Sequence, residues 1–106
     1  MNWVALTDYS QIQKALEISE PFLVFKHSTR CSISSMAMSR FERSYDLKGV
    51  VTFYLDLIAY RSISDQLVTD YKVQHQSPQL LFIQDGVCTY STSHNSINID
   101  AIKELL

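Results

Sequence analysis

Apolar residues recur along this chain in short blocks, and the spacing inside each block predicts an element. In residues 8–18 the apolar positions Ile12, Ala15, Leu16 and Ile18 fall at helical spacing, with Thr7 or Asp8 placed to cap the helix. Glu20-Pro21 ends that helix. Residues 22–25, Phe-Leu-Val-Phe, form a continuous apolar run suited to a buried strand reaching Lys26. Ser28-Thr29 offers an N-cap for a helix over residues 31–45, with Ile33, Met36, Ala37, Phe41 and Tyr45 on its inner face. Gly49 closes the following turn, and residues 50–57 read as a second strand. Residues 62–71 read as a helix with Ile63, Leu67, Val68 and Tyr71 inward. Ser77-Pro78 breaks the chain before a third strand at 79–84, and Asp85-Gly86 signals a tight hairpin into a fourth at 87–92. Residues 98–106 read as a closing helix, and residues 3–6 can add a short fifth strand.

Strands joined through a helix run parallel by a right-handed crossover, whereas the hairpin adds antiparallel strands. The expected architecture is therefore α/β, a mixed four- to five-stranded sheet with helices on both faces, the arrangement of thioredoxin-like domains. At 106 residues, with no repeat and no composition break, the chain is one domain over 1–106. A hydrophobic share of 46% against 19% charged residues provides a core and argues against disorder. A net charge of -2 argues against general nucleic-acid affinity, which needs a positive face. No apolar run can span a bilayer, and the first residues lack a basic segment followed by an apolar one. A reducing cytoplasm is the expected setting, and two cysteines are too few for a disulfide framework.

Cys31 follows a strand by one short loop and opens a helix. In α/β sheets, chemistry collects at the carboxyl ends of strands. A helix N-terminus presents free N–H groups and a partial positive charge, both of which favour the nucleophilic thiolate. Lys26, His27 and Arg30 add positive charge nearby, and Thr29, Arg30, Ser32 and Ser34 make a polar neighbourhood in place of a packing stripe. The alternative is a small, inert packing residue. The motif Cys31-Ser32-Ile33-Ser34 carries serine where a dithiol oxidoreductase has its second cysteine, so a reacted Cys31 must be resolved by another thiol. Cys88 is expected at the far end of the sheet, about 20 Å away at ~3.3 Å per strand residue, and is read as structural. Ser77-Pro78, just before a strand, is a candidate cis peptide. In a thioredoxin-like fold its loop faces the active cysteine and pairs with an extended substrate.

These residues resemble the monothiol bacilliredoxins, the bacillithiol-system thioredoxin-like proteins often called YtxJ-like. The resemblance spans nearly the whole chain. It rests on Cys31-x-Ile33-Ser34, Arg61-Ser62-Ile63-Ser64, His75-Gln76-Ser77-Pro78-Gln79 and Ser93-His94. It implies a thioredoxin fold, one redox cysteine at Cys31, a cis proline at Pro78, and removal of bacillithiol from mixed disulfides on other proteins. It implies no bound cofactor, with bacillithiol as co-substrate, and S-bacillithiolated proteins and a small-molecule thiol as partners of a bacterial, monomeric or weakly dimeric protein. The family pattern commonly has Thr before the cysteine and Pro after it, where this chain has Arg30 and Ser32. Arg30 can pair with the carboxylates of bacillithiol. Ser32, Ser34, Ser77, Pro78 and His75 complete the expected substrate-binding set.

Other constellations carry less. No Cys-x-x-Cys, His-Glu-x-x-His or carboxylate cluster points to a metal, and no Gly-x-Ser-x-Gly elbow points to a hydrolase. His75 is either a border of the site or a polar loop residue, and His94 leads into the last helix. Asp56 is expected to cap the segment after its strand, and Arg61, a cation at a helix start, to need a partner in Asp56 or Asp65. Two other readings stay open: a thioredoxin-like binding or adaptor domain without turnover, and a glutathione-dependent monothiol protein of glutaredoxin type.

Overall fold

The computed structural model describes residues 3–106. Its elements, in chain order, are β1 (Trp3–Ala5), α1 (Ser10–Glu17), β2 (Phe22–His27), α2 (Ser32–Ser44) and β3 (Val51–Asp56). They continue with α3 (Arg61–Tyr71), β4 (Gln79–Gln84), β5 (Val87–Ser93), a 3-10 turn at His94–Ser96 and α4 (Ile99–Lys103). The five strands form one mixed sheet in the order β1-β3-β2-β4-β5. β1 and β2 run parallel to β3, and β4 runs antiparallel to both β2 and β5. Asp85 and Gly86 both have positive φ, 55° and 76°, the primed turn that matches strand twist in a two-residue hairpin.

The sheet separates two cores. On one face Phe22, Val24, Phe53, Leu55, Leu81 and Ile83 meet Ile12 of α1 and Ile63 and Leu67 of α3. On the other, Leu23, Phe25, Leu80 and Phe82 meet Ala37 and Phe41 of α2 and Ile99 and Ile102 of α4. The alternation of β2 side chains between these clusters explains why its whole length is buried. Helices therefore lie on both faces, as the order of elements predicted.

Four expectations need correction. α2 turns Ser34, Ala37 and Phe41 inward, while Ile33 and Met36, expected in its inner face, are 56% and 68% exposed. A serine with partners in a neighbouring element outcompetes isoleucine for the inner position, as shown below. The α2 N-cap is Cys31, not Ser28 or Thr29, because Ser28–Cys31 is a separate turn closed by Cys31 N–H donating to the Ser28 carbonyl at 3.1 Å. α1 begins at Ser10 with Tyr9 as N-cap and no side-chain cap. Gln11 instead folds back to accept from the N–H groups of Thr7 (2.8 Å) and Asp8 (3.0 Å). α4 is confined to Ile99–Lys103, with Asn98 capping it by accepting from Asp100 N–H at 2.8 Å.

Candidate functional site

The sheet register assembles the site. Lys26 pairs with Gln79, so the residues just before β4 lie beside His27, at the end of the sheet from which the chain leads to Cys31. The Ser77–Pro78 peptide is cis. The Pro78 carbonyl accepts from His94 N–H at 3.1 Å, which ties this loop to the 3-10 turn after β5. Ser93-His94, the motif before the last helix, is thereby brought to the Pro78 loop. Leu57 N–H donates to the His27 carbonyl at 3.0 Å and extends the β2–β3 ladder to the same end.

Cys31 has extended backbone geometry, φ −111° and ψ 120°, and its carbonyl accepts from Ser35 N–H at 3.0 Å as the first bond of α2. Cys31, half-buried, thus occupies the N-cap position of α2, the helix end whose first-turn N–H groups no helical carbonyl satisfies, and its thiol makes no capping bond. Arg30 and Ser32, exposed, flank it on either side. Ser34 is different. It is fully buried, and its hydroxyl lies 2.7 Å from His27 Nδ1 while accepting from Ser28 N–H at 3.1 Å. This corrects the expectation that Ser34 touches substrate: its hydroxyl is occupied in stitching the end of β2 to the first turn of α2, on either side of the Cys31 loop. His27 stacks obliquely on Tyr54, with ring centroids 5.7 Å apart. Burial holds its pKa below the ordinary histidine value, against the raising fields of Asp56 and Glu42.

The opposite face of the sheet carries a second polar cluster. Lys26 is 1% exposed, and among the described residues its ammonium donates to the Ser64 carbonyl alone, at 3.5 Å. Burial lowers its pKa to about 8. Ser64 Oγ lies 3.4 Å from His75 Nδ1, so His75 turns toward α3 and not toward the helix that bears Cys31. Its pKa is lowered by burial and then by Lys26 and Arg61. Ser77 Oγ is buried without a partner among the described residues. Asp56 caps the segment after β3 by accepting from Ile58 N–H (3.1 Å), and Arg61 pairs with Asp65 at 3.5 Å. Sequence reasoning placed both correctly but missed the His27–Ser34 bond and the burial of Lys26. A lysine and a histidine after an apolar run carry no signal of burial; they are buried because β2 continues through them between the two cores.

Cys88 lies opposite Ile83, which in turn lies opposite Phe22, at the start of β2. About five strand residues, or roughly 16 Å, separate that row from the row that leads to Cys31. A disulfide between the two thiols is excluded by this register, since bonded cysteines need Cα atoms within about 7 Å. Among the described residues no group of three or more His, Cys, Asp or Glu side chains is placed to hold a metal ion. No helix among them is long and apolar enough to cross a membrane.

One cysteine at a helix N-cap, a cis-Pro loop at the same end of the sheet and no second thiol in reach define the class of a thioredoxin-fold protein with monothiol redox chemistry. The family model for monothiol bacilliredoxin BrxC matches residues 4–102, and the chain belongs to that family. Among solved structures it is similar to one described as "A putative oxidoreductase with a thioredoxin fold", at 25% identity and a TM-score of 0.85, covering 96% of this chain and 91% of that one. It is also similar to oxidised thioredoxin O2 from Arabidopsis thaliana (18% identity, TM-score 0.60, 97% and 90% covered). Fasciola hepatica thioredoxin gives 16% identity and a TM-score of 0.67, with 95% and 93% covered. Family and fold together support a thiol–disulfide oxidoreductase-like role with thiol-bearing proteins as partners.

Proposed function

We propose that the protein removes bacillithiol from mixed disulfides on other proteins, with Cys31 as the attacking thiol. The observation that carries this reading is the placement of Cys31 as N-cap of α2 with no second cysteine in reach. The Cys31 thiolate attacks the bacillithiol sulfur of the mixed disulfide. The sulfur–sulfur bond to the client breaks, the client leaves as a thiolate and takes a proton from solvent, and Cys31 now carries bacillithiol. A second bacillithiol thiolate attacks that new disulfide, releases Cys31 and leaves as oxidised bacillithiol. One disulfide is exchanged in each step, so no bound cofactor is required.

The first-turn N–H groups of α2 face the charge that forms on sulfur in both steps. Arg30 binds a carboxylate of bacillithiol, Ser32 lines the same approach, and the Ser77 backbone pairs with the extended client beside the Pro78 loop. His75 and Ser34 act from behind, through α3 and through His27. The chemistry suits a reducing compartment such as a bacterial cytoplasm.

The test is transfer from a bacillithiolated model protein, alongside its glutathionylated counterpart, by the wild type, Cys31→Ser and Cys88→Ser. Selective removal of bacillithiol that is lost only in Cys31→Ser is the expected result. Equal or faster removal of glutathione would replace the co-substrate. No transfer from either disulfide would leave a binding domain.

A further inference from the structure

Part of the α2 surface, beginning at Ile33 and Met36, is left exposed. Ile33, Met36, Arg40 and Arg43 follow each other at intervals of three, four and three residues, so they form one continuous stripe running away from Cys31. Ile33 and Met36 are 56% and 68% exposed, unusual for large apolar side chains at helix positions the sequence pattern would bury. Met36, Arg40 and Arg43 line a shallow groove with Ser35 and Ser39. The Arg40 guanidinium donates to the carbonyls of His94 (3.3 Å) and Ile97 (3.5 Å), which holds this cation against the turn that also contacts the Pro78 loop.

The charge on this flank is one-sided. The chain carries a net charge of -2, yet Arg40 and Arg43 lie on this stripe and Arg30 stands just before the helix. Among the described residues the ion pairs are Arg61–Asp65 and Lys103–Asp46, so none of these three cations is paired. The single acid of α2, Glu42, stands about 100° or more around the helix from the stripe. Two exposed apolar side chains followed by unpaired arginines fit an extended segment with an apolar residue near its cysteine and acidic residues beyond it.

We propose that the α2 stripe is a docking surface for client proteins whose thiolated cysteine is flanked by apolar and acidic residues. This rests on the proposed dethiolation at Cys31 and names the kind of client it acts on. Docking adds contacts to the protein part of the substrate and none to the small thiol, so it alters the reaction with clients and not the chemistry at sulfur.

The test uses three bacillithiol mixed disulfides: one on a peptide with Leu beside the cysteine and Glu beyond it, one on the same peptide with Lys for each Glu, and one on 2-mercaptoethanol. Single-turnover rates are measured for the wild type, Arg43→Glu and Met36→Ser at low and high salt. The wild type should consume the acidic peptide about tenfold faster than the basic one at low salt, with the preference fading at ~1 M salt. Arg43→Glu should abolish or invert that preference. Met36→Ser should slow both peptides about threefold, the effect of withdrawing one side chain's apolar contact. Neither variant should change the rate with the 2-mercaptoethanol disulfide. Equal wild-type rates on the two peptides, or an unchanged preference in Arg43→Glu, overturns the docking surface while the dethiolation reading stands. Failure of the wild type on the 2-mercaptoethanol disulfide overturns the dethiolation reading, and the docking proposal with it.

Discussion

The two cysteines of this chain occupy regions with similar exposure and opposite chemistry. Both thiols are half-buried. Cys31 caps a helix, with a polar loop before it and a polar first turn after it. Cys88 sits on β5, packed against the core that α1 and α3 cover. Its thiol donates to the Tyr90 carbonyl at 3.4 Å, and burial raises its pKa above the ordinary thiol value. Exposure therefore does not distinguish the two cysteines; their places in the fold do. Cys31 occupies the N-cap position of a helix, whereas Cys88 lies among strand carbonyls and aliphatic side chains.

The largest expected difference between these regions is kinetic. Under native conditions at pH 7, iodoacetamide should modify Cys31 about 100-fold faster than Cys88, read residue by residue by mass spectrometry. In denaturant the two rates should converge, because both environments are gone. A native ratio near one would break the comparison and with it the assignment of Cys31 as nucleophile.

How far this contrast was legible beforehand differs by residue. The apolar runs at Phe22–Phe25 and Leu80–Ile83 announce the central strands, and Asp85-Gly86 announces the hairpin, because local backbone preference and burial agree there. That agreement places the two thiols at opposite ends of the sheet from the order of elements alone. The inner face of α2 was not legible. Counting apolar residues selects Ile33 and Met36, but the position beneath the Cys31 loop goes to Ser34, whose hydroxyl meets His27 and the Ser28 N–H. A hydrogen bond between residues of two different elements leaves no periodic trace in the chain. The same holds for Lys26 and His27, polar residues buried because β2 continues two positions past its apolar run.

A smaller effect sharpens the comparison at the Cys31 end. Ser34→Ala leaves His27 Nδ1 and the Ser28 N–H buried without their partner, which should cost about 2 kcal/mol of unfolding free energy in urea. Ser34→Thr, which keeps the hydroxyl, should recover part of it. The equivalent loss at the other end, Cys88→Ala, should stay near 1 kcal/mol, since it removes a weak thiol hydrogen bond and a small volume. If Ser34→Ala proves as mild as Cys88→Ala, the stitch between β2 and α2 is not what holds the Cys31 loop.

The smallest effect concerns the charge buried between the two regions. Lys26 lies on the α3 face, where its field lowers the Cys88 pKa against burial. Its own pKa is held near 8 by burial, below the 10.5 of a free lysine. The unfolded chain therefore binds more protons between those values, and stability gained from this group rises with pH across that window. Below pH 8 the full cost of burying the ammonium is present. Lys26→Met keeps the stem, removes the charge and strands no partner, because the Ser64 carbonyl remains within α3. The variant should be about 1 kcal/mol more stable than the wild type at pH 7, with the advantage shrinking steadily toward pH 10. Cys88 should alkylate more slowly in this variant, while Cys31, on the other side of the sheet, should keep its rate. A variant less stable than wild type at pH 7 would make the Lys26–Ser64 contact a net stabiliser, and a changed Cys31 rate would mean that the sheet does not insulate one thiol from the other.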